Sequence, residues 1–164
     1  MMKKFNKKYY QHLVTKLLPA FKKAGKQSIK LSGPNIKIFT KPDGTPVSNG
    51  DLAVDKILQA AIKKITPSIE IVSEETIQRN KVKKRETFWL IDPIDGTSSY
   101  IKNKDEYTLN AALIVDKIPA LGIIFAPKKK RLFYSYGKGS AYEINGRTKK
   151  KLNCSNIRKK TISA

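Results

Sequence analysis

The sequence has very few of the residues that build disulfides or thiol-based sites. Its 164 residues include one cysteine, Cys154, and one histidine, His12. A single cysteine excludes an intrachain disulfide, and a single Cys beside a single His argues against a Cys/His nucleophilic pair. We therefore expect a protein of a reducing compartment.

Long apolar runs are also missing. The stretch from Met1 to Lys8 is basic like the start of a signal peptide, but Tyr9, Gln11 and Lys16 interrupt the apolar segment that should follow. No run approaches the roughly 18 apolar residues that a membrane span needs. These absences predict a soluble, cytoplasmic protein without a membrane span.

Acidic residues are scarce, at 13 against 34 lysines and arginines, which gives a formal net charge of +21. Such a charge could attract nucleic acid, an anionic membrane surface or acidic small molecules. Nucleic-acid modules usually interleave aromatic residues with basic ones on a single face, and no such pattern is evident. We interpret the charge as a lysine-rich solvated surface, with no dedicated nucleic-acid site. The basic clusters are Lys81 to Arg85, Lys128 to Arg131 and Lys149 to Lys151.

Helical periodicity dominates the first third of the sequence. One set of apolar residues recurs at about helical spacing: Phe5, Tyr9, Leu13, Leu17 and Phe21. This set predicts one or two helices up to about Leu31, kinked or split near Pro19. A second apolar stripe consists of Val54, Ile57, Leu58, Ala61, Ile62 and Ile65. It predicts a helix that begins near Asp51 and ends before Pro67.

Short strand-like segments fill most of the remainder. Glycines and prolines between Gly33 and Gly50 leave room only for a short strand around residues 36–39. Further strands are predicted at 69–72, 88–91, 107–115, 118–125, 131–136 and 140–144, joined mostly by short turns. The pattern predicts an α+β fold in which N-terminal helices pack on a largely antiparallel sheet.

Two aspartates follow the predicted buried strand that ends at Ile91. Asp92 and Asp95 stand three positions apart, across what we interpret as a turn stiffened by Pro93. Carboxylates held this close repel each other unless a hard cation neutralises them, and such oxygen ligands suit Mg²⁺. The amides of Gly96 and Thr97 would face an anion if a helical turn begins there.

Two earlier segments supply further carboxylates. Glu74 and Glu75 follow the strand predicted at 69–72, and Asp51 opens the second helix. Each segment also has a purely structural interpretation. Asp51 could cap the helix, the glutamates could be a solvated loop pair, and Asp95-Gly96-Thr97 could be an ordinary turn. The conjunction of all three favours a metal site.

These residues resemble a known superfamily. The run from Asp92 to Thr97 (Asp-Pro-Ile-Asp-Gly-Thr) is similar to the signature of the magnesium-dependent, lithium-sensitive phosphatases of the inositol monophosphatase superfamily. Ser73-Glu74-Glu75 resembles that family's acidic pair, and the segment from Thr45 to Asp51 resembles its Thr-Pro-Val-Thr-x-x-Asp motif. The stretches at 98–102, 106–114 and 119–127 resemble the CysQ-type 3'(2'),5'-bisphosphate nucleotidases, although Ser98-Ser99-Tyr100 departs from their usual Lys-Glu-Phe.

The resemblance implies a role for each residue. Two or three Mg²⁺ ions would be held by Glu74, Asp92, Asp95 and the main-chain carbonyl of Ile94. Asp51 and Thr97 would hold and deprotonate the attacking water. The substrate phosphate would be bound by Gly96, Thr97 and Ser98, with Glu75 behind the metal ligands. The implied reaction is hydrolysis of the 3'-phosphate of 3'-phosphoadenosine 5'-phosphate. The alternatives are an inositol or sugar phosphate phosphatase and a non-catalytic anion-binding module.

The resemblance also implies a second domain, which supplies a further metal-ligand aspartate from a Trp-Asp-x-x-Ala-like segment. No such segment follows Thr97. We therefore expect residues 1–160 to form the metal- and phosphate-binding domain, with Thr161 to Ser163 resembling the start of the next strand. A truncated enzyme is expected to be weak or inactive, and to form a homodimer or bind a companion chain through exposed apolar surface.

Overall fold

A computed structural model describes residues 5–75 and 86–153. Helix α1 is a single 25-residue helix, Lys7–Leu31, that begins after the N-cap Asn6 and continues through Pro19 without a break. The possible split at Pro19 is therefore not observed. Leu13, Leu17 and Phe21 of the predicted apolar stripe are buried against helix α2 and the sheet, whereas Phe5 and Tyr9 are only partly buried.

The segment between the two helices folds into a small hairpin. After a 3₁₀ turn at Gly33–Asn35, strands β1 (Ile38–Thr40) and β2 (Pro46–Ser48) pair antiparallel. Strand β2 leads directly into helix α2, Asn49–Ile65. This hairpin carries the residues before Asp51 to one end of α2.

A seven-stranded sheet forms the second layer. Its strands follow chain order across the sheet, and all neighbours are antiparallel except β3 and β4, which are parallel. The strands are β3 (Glu70–Ser73), β4 (Phe88–Asp95), β5 (Thr108–Val115), β6 (Ile118–Ala126), β7 (Arg131–Tyr136), β8 (Ala141–Asn145) and β9 (Thr148–Leu152). A one-turn helix α3, Thr97–Ile101, follows β4. This architecture confirms the α+β prediction of helices on a largely antiparallel sheet.

The core lies between the helices and one face of the sheet. Helix α2 packs on β3 and β4, and α1 packs on β6 and β7. Trp89 is fully buried there, and its indole N–H donates to Thr66 Oγ1 at 3.0 Å. The opposite face of the sheet carries exposed apolar side chains, including Leu90 (46% exposed) and Ile124 (47% exposed).

Several predicted features lie outside the described residues. These are the basic cluster at Lys81 to Arg85, the single Cys154 and the strand start at Thr161 to Ser163. The other two basic clusters lie in the β6–β7 hairpin and on strand β9. Within the described part of the chain, no helix is both long and apolar enough to cross a membrane.

Candidate active site

A β-bulge in β4 brings Asp92 and Asp95 to the same face of the sheet. Asp92 lies opposite Asn110 and Asp95 lies opposite Thr108, so three steps along β4 match two steps along β5. Residues three apart in a regular strand point to opposite faces, and one extra residue restores a common face. Pro93, which cannot donate a ladder hydrogen bond, lies inside this irregularity. The predicted turn is therefore wrong: the strand continues to Asp95.

Asp92 is held where its negative charge is unfavourable. Its Oδ1 is buried and has no hydrogen-bond partner among the described residues. Burial, followed by the negative charges of Glu74 and Asp95, raises the pKa of Asp92 to about 7. A buried oxygen without a donor in an acidic cluster is an arrangement that a cation would neutralise.

A lysine that the sequence analysis did not single out contacts both glutamates. Lys41 Nζ lies 2.8 Å from Glu75 Oε2 and 3.3 Å from Glu74 Oε1. Burial lowers the pKa of Lys41, but the hydrogen bonds and charges of Glu75 and Glu74 outweigh burial and raise it. The Glu75 side chain is 4% exposed and that of Glu74 is 54% exposed. Glu74 is therefore the accessible carboxylate, and Glu75 lies behind it on Lys41.

The two carboxyl oxygens of Asp51 have different partners: one caps helix α2, and the other faces Thr97. Its Oδ2 accepts hydrogen bonds from the Ser48 amide at 2.8 Å and from Ser48 Oγ at 2.5 Å. Ser48 is the N-cap of α2, so Asp51 closes a capping box from position N3, and is not itself the N-cap. Its Oδ1 accepts from Thr97 Oγ1 at 3.4 Å. The capping and functional interpretations are thus compatible, because each uses a different oxygen.

Thr97 lies between Asp51 and the main chain of β4. Its hydroxyl group is 3.0 Å from the carbonyl oxygen of Ile94, and a single hydroxyl proton cannot satisfy both Ile94 and Asp51 at once. Gly96 precedes it as the N-cap of α3 with φ +92°, and a Cβ there would lie 2.8 Å from the Glu106 carbonyl oxygen. Ser98 follows in the first turn of α3, beside these groups.

The donor set fits a hard divalent cation by its chemistry. It consists of Glu74, Asp92 and Asp95 with the carbonyl of Ile94, all of them oxygen donors. The orphaned Oδ1 of Asp92 supplies a buried acceptor for the ion. Within residues 5–75 and 86–153, no three His, Cys, Asp or Glu side chains lie close enough together to hold a metal ion as they stand.

Further residues support the site without any signal in the sequence patterns. Asp55 lies one turn after Asp51, and its Oδ1 accepts from Ser73 Oγ at 2.6 Å, which fixes the end of β3 before Glu74. The Asn110 amide nitrogen lies 3.4 Å from Asp95 Oδ2, while its own Oδ1 is buried without a partner among the described residues. A cavity of about 310 Å³ opens beside Asp95 and Gly96, with Lys129 and Arg131 on its wall.

Comparison with known proteins gives the chain's relatives. The model of the inositol monophosphatase family matches residues 5–163. The 3'(2'),5'-bisphosphate nucleotidase CysQ of Buchnera aphidicola subsp. Acyrthosiphon pisum is 32% identical over 88% of this chain and 56% of its own length. CysQ of Salmonella typhimurium is 36% identical over 63% of this chain and 42% of its own length. The chain spans about half the length of these relatives.

Solved structures share the fold. CysQ from Bacteroides thetaiotaomicron, described as a bacterial member of the inositol monophosphatase family, has a TM-score of 0.62 at 27% identity, over 86% of this chain and 51% of its own. An inositol monophosphatase of Thermotoga maritima has a TM-score of 0.67 at 24% identity, over 79% of this chain and 50% of its own. An inositol monophosphatase/NADP phosphatase solved with Mg²⁺ and phosphate has a TM-score of 0.68 at 20% identity, over 84% and 51%.

Proposed function

The chain belongs to the inositol monophosphatase family, and on that premise we propose that it is the metal- and phosphate-binding part of a Mg²⁺-dependent phosphomonoesterase. The observation that carries the proposal is the bulge that places Asp92 and Asp95 on one face, beside Glu74 and next to the Asp51–Thr97 pair. Structural roles alone do not explain a buried, unpartnered carboxyl oxygen inside an acidic cluster.

Each residue of the site has a distinct task in this proposal. Glu74, Asp92, Asp95 and the Ile94 carbonyl hold two or three Mg²⁺ ions, which supply Lewis-acid activation of water and neutralisation of phosphoryl charge. The Thr97 hydroxyl orients the attacking water and takes up the water's proton as its own proton passes to Asp51 Oδ1. Asp51 Oδ2 cannot share this task, because Ser48 occupies it.

The phosphate contacts come from the start of α3. The amides of Gly96 and Thr97 and the hydroxyl of Ser98 are the proposed donors. Helix α3 has only five residues, so its dipole is small and the donors act mainly as individual hydrogen bonds. Glu75 stays on Lys41 and keeps that ammonium group beside Glu74.

The proposed substrate is 3'-phosphoadenosine 5'-phosphate, hydrolysed at its 3'-phosphate. The support is the identity with proteins named as bisphosphate nucleotidases, 32% over most of this chain in the Buchnera protein. The second domain, the homodimer and the companion chain stay predictions. Leu90 and Ile124 on the helix-free face of the sheet are the apolar surface that such a partner would cover.

The test is phosphate release from 3'-phosphoadenosine 5'-phosphate and from inositol 1-phosphate, with and without Mg²⁺. We expect release that requires Mg²⁺, is faster with the nucleotide, and falls at least about 100-fold in Asp95→Asn, because a direct ligand should matter at least as much as an outer-shell one. Asp116, exposed in the turn between β5 and β6, supplies the matched control, Asp116→Asn, which should retain the activity.

Calorimetric titration with Mg²⁺ separates the remaining outcomes. Binding that Asp95→Asn abolishes, without phosphate release, would place the metal site here and assign substrate binding to further polypeptide. Salt-sensitive anion binding with no Mg²⁺ requirement would instead favour the non-catalytic module and overturn the proposal. Faster release from inositol 1-phosphate would correct the substrate alone.

A further inference from the structure

A buried tyrosine ties the turn after β4 to the helix layer behind it. Tyr100 lies on α3, three residues after Thr97, and is fully buried. Its hydroxyl donates to the main-chain carbonyl oxygen of Ser28, on α1, at 2.7 Å. Because a buried hydroxyl group is costly without a partner, this contact fixes one position of the ring.

The same serine holds a second tyrosine. Ser28 Oγ donates to the Gly25 carbonyl at 2.9 Å, and it lies 3.0 Å from the Tyr107 hydroxyl. Ser28 has one hydroxyl proton, which goes to Gly25, so Tyr107 must donate to Ser28. All three side chains are buried, with Ser28 and Tyr100 at 0% exposure and Tyr107 at 2%. Every proton of this cluster therefore has a defined acceptor.

The two tyrosines lie on either side of the connection from α3 to β5. Their rings meet edge to face, with centroids 4.9 Å apart. Tyr107 precedes β5, and the carbonyl of its neighbour Glu106 lies against Gly96. Both ends of the segment from Tyr100 to Tyr107 are thus anchored to one residue of α1, Ser28.

Tyr100 also lies against the helix that carries Asp51. A Cβ added to Gly50 would lie 2.2 Å from the Tyr100 hydroxyl oxygen and 2.6 Å from its ring. Gly50 precedes Asp51 in the first turn of α2. The ring therefore contacts the helix start that holds Asp51, while its own main chain belongs to the short helix that holds Thr97.

We propose that Tyr100, held by Ser28 and supported by Tyr107, is a positioning residue that sets the approach of Thr97 to Asp51. The proposal rests on the function proposed for that pair and adds the element that fixes its geometry. A phenylalanine would fill the same space, so packing alone does not require the hydroxyl group. The hydrogen bond from this hydroxyl group links α3 to α1, and its loss should loosen α3.

The primary experiment compares Tyr100→Phe with Tyr136→Phe by amide hydrogen exchange in metal-free buffer. Tyr136 is the matched control because it is also buried, stacks against another tyrosine, Tyr142, with ring centroids 5.5 Å apart, and lies on β7, away from Thr97. The reporters are the Tyr100 amide, bonded to the Gly96 carbonyl at 3.0 Å, and the Lys102 amide, bonded to the Ser98 carbonyl at 3.2 Å.

We expect Tyr100→Phe to speed exchange of these two amides roughly tenfold, beyond any change in slowly exchanging amides of the sheet. Tyr136→Phe should leave the exchange rates of these two amides unchanged relative to those of the sheet. Equal exchange of α3 in Tyr100→Phe and the wild type would overturn the proposal, whether or not the protein is a phosphatase.

A second readout connects the cluster to function. With Mg²⁺ present, the Tyr100→Phe variant should show a kcat for phosphate release lowered roughly tenfold, with KM changed less, since Thr97 and Asp51 act on water rather than on substrate binding. Wild-type protein that neither binds Mg²⁺ nor releases phosphate would count against the proposed function, and the exchange result would still decide whether the Tyr100 hydroxyl group holds α3. A kcat unchanged in Tyr100→Phe, with α3 loosened, would overturn the link from α3 to the Thr97–Asp51 pair.

Discussion

The two ends of the seven-stranded sheet differ in the surroundings of their buried polar side chains. At the β3–β5 end, Asp92 has a buried oxygen without a partner in the described part of the chain, and it faces other carboxylates. At the β7–β9 end, Tyr134, Tyr136 and Tyr142 stack with ring centroids 5.2 to 6.1 Å apart. The β3–β5 end brings several carboxylates close together, whereas the β7–β9 end packs its tyrosine rings against one another.

A lysine also plays a different part at each end. Lys149 Nζ lies 4.7 Å from the centre of the Tyr142 ring and 5.6 Å from that of Tyr134, so a cation covers the electron-rich faces of the stack. Lys41 instead contacts Glu74 and Glu75, and leaves the Asp92 carboxyl without a direct positive partner among the described residues. The tyrosine end is arranged for stability, and the acidic end keeps an unfavourable carboxyl group that a ligand would stabilise.

The largest expected effect comes from disturbing the packing under the acidic end. Gly50→Ala introduces a Cβ that would lie 2.2 Å from the fixed Tyr100 hydroxyl oxygen. Overpacking of this kind costs about 1–3 kcal/mol, against a small gain from helix propensity. Thermal and denaturant unfolding should show the loss.

Gly122→Ala is the control for this substitution. Among the described residues, a Cβ at Gly122 in β6 would meet only Ser135 Oγ, at 4.0 Å, so little should change. Equal stability of Gly50→Ala and the wild type would mean that the Tyr100 side chain can move to make room for the added Cβ. Tyr100 would then not be a rigid support beneath the acidic end of the sheet.

A smaller effect tests the unfavourable carboxyl group directly. The pKa of Asp92 is raised to about 7, from an ordinary value of about 3.9. The folded state therefore keeps a proton that the unfolded state has released. The contribution of this proton to the free energy of unfolding is complete below about pH 4 and is lost as the pH rises through about 7. The full shift corresponds to about 4 kcal/mol, and partial solvation reduces this to about 1–2 kcal/mol.

Asp92→Asn should remove that pH dependence. In metal-free buffer the variant should be more stable than the wild type by about 1–2 kcal/mol at pH 8 and nearly equal to it at pH 4. Denaturant unfolding across this pH range measures the difference, with the exposed Asp105→Asn as control. A slope that survives in Asp92→Asn would assign the strain to another carboxyl group.

The smallest expected effect lies at the tyrosine end. Lys149→Met keeps most of the apolar stem but loses the cation over Tyr142 and Tyr134, which should lower the free energy of unfolding by about 0.5–1 kcal/mol. Lys138→Met, at an exposed loop position, removes the same charge without a ring contact and serves as the reference. If both variants lose the same stability, net charge and not the ring contact explains the loss.

Sequence patterns predicted most of the elements, and the exceptions have physical causes. Strand β7 was predicted with its observed bounds, because its apolar and polar residues alternate between well-defined turns. Strand β9 was missed, because Lys149, Lys150 and Lys151 resemble a solvated cluster. In the structure they lie on an edge strand, where lysines protect unpaired main-chain groups.

The sequence likewise predicted some residues of the candidate site and missed others. The composition and spacing of the motifs predicted that Asp51, Glu74, Asp92, Asp95 and Thr97 belong to one site. The family comparison confirms the resemblance that connected them. Lys41 carried no such signal, because a lysine in a lysine-rich chain is unremarkable until its partners are known. The roles of all these residues stay predictions.

The sequence by itself determined the α+β class, the helix faces and the family, because these depend on local periodicity and on short runs of residues. Only the tertiary structure decided that a bulge turns Asp92 and Asp95 to one face, and that Asp51 uses one oxygen for its helix and the other for Thr97. It also brought Tyr100 to Ser28, 72 positions earlier in the chain. Contacts of this kind depend on register and packing between distant segments, which no local pattern encodes.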